Sequence, residues 1–173
     1  MSLYVISDGG EIVTRYDERM LSNTKVSHLY TPGSDPVTFS VDGVRFGCAL
    51  GMEVVYPEVF LEYERLDVDC VLFSTHGPGV PTDNDPFALQ SQALAAANSY
   101  WVSYAGVAPS GIVGPDGDWL TRCPSDPAPA IATTDLDLTA ENYARPWRRV
   151  ARSGLYTQYQ APDDPRSLNR AEL

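Results

Sequence analysis

Three Asp-Gly pairs, Asp8-Gly9, Asp42-Gly43 and Asp116-Gly117, punctuate the chain, each between two runs rich in β-branched and aromatic residues. Such pairs supply the positive φ of a tight hairpin, so each predicts a pair of antiparallel strands. The flanking runs are YVIS and EIVTRY, VTFSV and VRFGCAL, and SGIVGP and DWLTR. Further strands are expected at 69–74 (DCVLFS), 100–104 (YWVSY) and 130–135 (AIATTD). The strand pattern begins only at Tyr4, leaving Met1, Ser2 and Leu3 outside it.

Two helices fit between these strands. Pro57 suits a first helical position, and Val59, Phe60, Tyr63 and Leu66 then recur at helical spacing, with Glu62, Glu64 and Arg65 expected outward and an end near Asp67. Asn84 or Asp85 can cap a second helix running to Asn98, whose expected packing face is Leu89, Ala93, Leu94 and Ala97. Beyond Thr139 the pattern weakens, and residues 161–173 read as a polar tail. At 173 residues the chain is long enough for one domain with a sizeable core, and no linker divides it.

Charge narrows the partners. Twelve basic against 23 acidic side chains give a net charge of -11, which disfavours nucleic acid and anionic membranes. Cys48, Cys70 and Cys123 are odd in number and widely spaced, and His28 and His76 lie far apart, so neither a disulfide framework nor a zinc site is expected. No apolar run is long enough to span a bilayer, and the first residues lack a signal-peptide pattern. A cytoplasmic location without metal or other cofactor is the expectation.

The segment Arg45 to Glu58, RFGCALGMEVVYPE, resembles the nucleophile motif of the carbon-nitrogen hydrolases, the nitrilase superfamily. In that family a buried strand of pattern Arg-x-Gly-x-x-x delivers a cysteine at a sharp turn, followed by x-Asp/Glu-x-x-aromatic-Pro-Glu. Arg45, Gly47, Glu53, Tyr56, Pro57 and Glu58 stand at the matching positions, and Gly51 occupies the place of the cysteine. The resemblance extends to GGEIVTRYDERML, to YTPGSDPVTFSVDGVRFG, and downstream to DCVLFST, ALAAANSYWVSYAG and SGIVGPDGDWL. It implies an α/β (α+β) fold, part of a four-layer α-β-β-α sandwich with mixed β-sheet and flanking helices. Residues 4–160 would be the second half of such a domain. Aligned on Tyr16, the family's lysine falls on Glu18; its arginine before the Ala-x-x-Asn helix falls on Leu94; and its general-base glutamate belongs to a first half that would precede Tyr4.

The resemblance also sets what the chemistry requires. Family members cleave amides or nitriles by thiolate attack, with the glutamate taking the thiol proton and the lysine facing the developing negative charge. Glycine has no atom for the covalent step, and loss of a nucleophile costs on the order of a million-fold in comparable triads. An acid at position 18 would oppose an oxyanion where one electrostatic donor is worth on the order of 100 to 1,000-fold. Cys48 is three positions from Gly51 on one expected strand, an odd offset that turns it to the other face, so it reads as packing rather than as a substitute nucleophile.

Each singled-out residue has an ordinary reading too. A glycine at a strand-to-helix turn is what sterics alone would select. Glu18, within Asp17-Glu18-Arg19, is in isolation a solvated surface acid. The resemblance makes Glu53 and Glu58 supports of the turn and Tyr56 part of its motif, while His76, beyond the strand DCVLFST, lines a pocket in the family but reads here first as a loop histidine. Together these residues predict a carbon-nitrogen hydrolase-like protein that is catalytically silent. The alternatives are a binding or oligomeric scaffold module that holds a small amide, nitrile or carboxylate without turning it over, and one half of a split amidase. Half a sandwich exposes apolar sheet faces and strand edges, so either a homo-oligomer or a separate first-half chain is expected to cover them.

Overall fold

The computed structural model describes residues 1–28, 30–77, 85–107, 109–124, 130–139, 145–148, 150 and 151. They fall in two compact units, Met1–Ala140 and Glu141–Leu173. In the second unit the described residues 145–148, 150 and 151 are helical, and the tail at 161–173 lies outside the described residues.

The first unit opens with an antiparallel hairpin of β1 (Ser2–Ile6) and β2 (Ile12–Asp17). A short helix α1 (Asn23–Ser27) follows, which the sequence pattern does not announce. Six strands then form one sheet: β3 (Thr38–Val41), β4 (Val44–Leu50), β5 (Cys70–Ser74), β6 (Trp101–Ala105), β7 (Gly111–Val113) and β8 (Trp119–Arg122), neighbours in chain order. The central strands β4, β5 and β6 are parallel and the outer pairings antiparallel. Parallel neighbours need crossovers, and these carry the helices α2 (Pro57–Arg65) and α3 (Pro86–Asn98). The result is the expected mixed sheet with flanking helices.

All three Asp-Gly pairs sit at hairpins, with different turn chemistry. Asp42 and Gly43 have φ of 49° and 83°, the two positive values of a type I′ turn. Between β1 and β2 the positive φ falls on Gly10, at 82°, because the loop is longer and Ser7 closes it by donating to the Glu11 carbonyl. β1 begins at Ser2, which pairs with Asp17, so Ser2 and Leu3 belong to the strand.

Most of the core lies between the sheet and its helices. Ala49, Val71, Phe73, Val102, Tyr104 and Val113 pack against Val59, Phe60, Tyr63, Ala88, Leu94 and Ala95. Gly47 permits the close approach of α2, since a Cβ there would stand 2.6 Å from Cδ1 of Tyr63. On the opposite face of β4, Cys48 and Leu50 join Tyr16 in a second cluster bordered by Leu3, Val5, Val37 and Phe39, which docks the hairpin.

Three expectations need correction. Glu64 is 2% exposed rather than outward, because it lies four residues after Phe60 on the same helical face. In α3 the inward residues are Ala88, Ser91, Leu94, Ala95 and Asn98, while Leu89, Ala93 and Ala97 are exposed. Its buried polar groups bond to their own helix, Ser91 to the Phe87 carbonyl at 2.8 Å and Asn98 to the Leu94 carbonyl at 2.9 Å, so apolarity alone misjudged the face. Residues 130–139 form no strand, and Ile131 is 90% exposed. No helix among the described residues is long and apolar enough to cross a membrane.

Candidate functional site at the strand-to-helix elbow

β4 ends at Leu50 with extended backbone, and the chain reverses at Gly51 into a short 3-10 helix, Gly51–Val55, that leads directly to α2. Gly51 has φ of 58°, in the left-handed region that a side chain disfavours. The elbow lies at the carboxyl ends of the parallel strands, where open α/β sheets place their ligand crevices.

Glu53 holds the elbow. Its side chain is fully buried, and its two oxygens join β4 to the hairpin segment: Oε2 accepts from the Leu50 amide at 2.7 Å, and Oε1 accepts from the Tyr16 hydroxyl and the Arg19 amide, both at 2.6 Å. Burial raises its pKa above the usual 4.5, opposed by those donors. Burial likewise raises the Tyr16 phenol, so it remains a neutral donor to Glu53. Arg19 extends the network, donating to Glu62 of α2 at 2.6 Å and to the Tyr16 hydroxyl at 3.2 Å.

Glu18 is fully buried, unlike the solvated acid its local sequence suggests. Its carboxylate lies against Gly51: a Cβ built there would clash with Oε1 and stand 3.0 Å from Cδ. The same Oε1 accepts from the Met52 amide at 3.3 Å, while Oε2 pairs with the Lys25 ammonium and lies 4.0 Å from the Met1 ammonium. The backbone behind it is fixed by its own amide donating to the Met1 carbonyl and by Gly33 donating to its carbonyl, both at 2.9 Å.

Lys25 is the residue that sequence reasoning missed. It rides on α1, and its Nζ would stand 3.0 Å from a Cβ at position 51. An ammonium therefore does face Gly51, delivered from α1 rather than from the segment after β2. The available signal was that Lys25 is the single lysine of the sequence, seven residues after Glu18.

The other predicted residues lie around this centre. Tyr56 links the 3-10 helix to α2 and packs half-buried against the main core. Glu58 is exposed in the first turn of α2, where its charge favours the helix dipole, and it stands apart from the Glu53 hydrogen bonds. His76 is exposed just beyond β5. Cys48 is fully buried beside Tyr16 and Leu50, and its amide-bearing strand is clamped by Tyr63, whose hydroxyl donates to the Cys48 carbonyl. Burial, then Glu53, pushes its thiol up to about 11. Among the described residues no cluster of His, Cys, Asp or Glu could hold a metal ion.

The fold of this chain is also found in solved structures. An amidase from Nesterenkonia sp. matches with a TM-score of 0.65 at 20% identity, over 73% of this chain and 52% of that one. The NitN amidase from the same source matches with a TM-score of 0.68 at 19% identity, over 86% and 62%. Saccharomyces cerevisiae Nit3, a member of branch 10 of the nitrilase superfamily, matches with a TM-score of 0.61 at 16% identity, over 70% and 48%. The chain thus spans about half the length of the amidase structures it matches (52% of the first). No curated protein matches it in sequence. The carbon-nitrogen hydrolase profile, however, matches residues 1–148, which carry both the elbow and the hairpin packed on it, and the chain therefore belongs to the carbon-nitrogen hydrolase family.

Proposed function

We propose that this chain is a carbon-nitrogen hydrolase-fold protein that does not itself break carbon-nitrogen bonds. The observation that carries the reading is the Glu18 carboxylate lodged against Gly51. The position from which a nucleophile would attack has no side chain, and the adjoining space already holds a buried acid paired with Lys25. Thiolate chemistry from Cys48 is opposed by its complete burial and raised pKa, since only the thiolate attacks. Ammonia release from a panel of small amides and nitriles tests the reading, with no release above the uncatalysed rate as the expected result.

The same proposal includes association. Tyr4, Ile6, Ile12 and Val13 of the β1–β2 hairpin are 51%, 60%, 65% and 56% exposed, and the hairpin is a separate two-stranded sheet among the described residues. Exposed apolar side chains beside open strand edges favour a covering partner. A second copy or a polypeptide supplying the rest of the sandwich would fill that role. Solution mass of the purified chain tests it, with a dimer or larger species expected, or a monomer that becomes a stable complex when the complementary half is added.

A further inference from the structure

Glu18 makes the contacts of a bound ligand. Its carboxylate has no solvent exposure, one oxygen on the Met52 amide at 3.3 Å and the other on the Lys25 ammonium, with the Met1 ammonium 4.0 Å away. Lys25 retains 24% exposure, so solvent reaches the cationic side of the pair. Carboxylates are bound elsewhere by the same combination of an ammonium and a backbone N–H, through charge-assisted hydrogen bonds. Gly51 completes the arrangement, because any Cβ at that position would collide with Oε1.

We propose that Lys25 Nζ, the Met52 amide and the side-chain-free face of Gly51 form a small-carboxylate site that the chain occupies with its own Glu18. Glu18 is an internal ligand, and the ligand class that replaces it is a monocarboxylate of acetate or formate size. The pairing also explains why positions 18 and 51 suit each other: a carboxylate requires the glycine, and the glycine leaves a hole that the carboxylate fills. This inference does not depend on the absence of hydrolysis. Carboxylate occupancy is read by stability and lysine labelling and hydrolysis by ammonia release, so either account can fail alone.

The test uses the full-length chain with Glu18→Ala, which removes the internal carboxylate and leaves its donors. Thermal unfolding is followed with sodium acetate, sodium formate and sodium chloride at matched ionic strength. Acetate should raise the Tm of the variant by about 3 to 6 °C once it exceeds its dissociation constant about tenfold, while the parent chain and the chloride series stay flat. Lys25 is the single lysine, so reductive methylation read by peptide mapping, which separates its Nζ from the α-amino group of Met1, reports on it. It should be slow in the parent chain, faster in the variant, and slowed again by acetate. Equal acetate shifts in parent and variant, an equal effect of chloride, or no shift at all would overturn the proposal. Should Glu18→Ala not fold, Glu18→Gln decides: the amide fills the space, so Lys25 is methylated faster than in the parent and acetate gives no protection. Unchanged methylation of Lys25 in Glu18→Gln, or protection by acetate there, contradicts it.

Discussion

The carboxylate of Glu18 stands where a side chain on Gly51 would have to go. The two residues lie on different elements, one after β2 and the other after β4, and their packing fills the space over Gly51. A single reverse substitution at 51 therefore meets two obstacles.

Gly51→Cys should destabilise the chain and confer no hydrolysis. A non-glycine residue in the left-handed region costs on the order of 1 to 3 kcal/mol, and displacing Glu18 from Lys25 and Met52 adds to that. Urea unfolding checks it. A variant as stable as the parent would show that Glu18 yields freely.

Lys25→Met removes the cation from a buried pair and leaves Glu18 with the Met52 amide and the more distant Met1 ammonium. Stranding one partner of a buried pair costs about 3 to 5 kcal/mol. A loss below about 1 kcal/mol, the range of surface ion pairs, would mean that the pair is solvated.

Glu53 gives stability a definite pH dependence. Its folded-state pKa lies above the usual 4.5, with burial as the leading cause, so the native state holds its proton where the unfolded chain has released it. Its contribution is full below the unfolded value and falls as pH rises through the native one. Glu53→Gln should flatten that decline, at the cost of one backbone hydrogen bond, because its NH2 cannot accept from the Leu50 or Arg19 amide; denaturation midpoints across pH 4 to 7, a range set by roughly the ordinary carboxylate value and above, read the slope. An unchanged slope would assign the decline to other acids.

Much of the fold could be read from the residues because its determinants are local. The Asp42-Gly43 turn, the Pro57 start of α2 and the Asp85 cap of α3 each depend on chemistry within a few positions. The site was legible only in part. Glu53 and Gly51 belong to one contiguous motif, whereas the burial of Glu18 arises from docking the hairpin against β4, and Lys25 arrives from α1 to pair with it. No local pattern encodes that contact, and α1, at five residues with none of them buried, carries no apolar periodicity. The outward assignment of Glu64 and the Leu89 face of α3 failed for a related reason, since polarity was weighed ahead of helical position.

Thiol accessibility separates the three cysteines. Cys48 and Cys70 are buried, with pKa values pushed up to about 11 and about 12 mainly by desolvation, while Cys123 is partly exposed. At pH near 8, one thiol per folded chain should react quickly with an aromatic disulfide reagent and the other two only on unfolding. Rapid modification of Cys48 would remove the argument against it as a nucleophile.

Ammonia release by the purified parent chain, measured over a panel of aliphatic amides and nitriles beside a Cys48→Ala variant, tests the central claim most directly. The account predicts that both proteins match the uncatalysed rate. Turnover by the parent that disappears in Cys48→Ala would contradict it, because the reaction would then run from a thiol that the fold has fully buried.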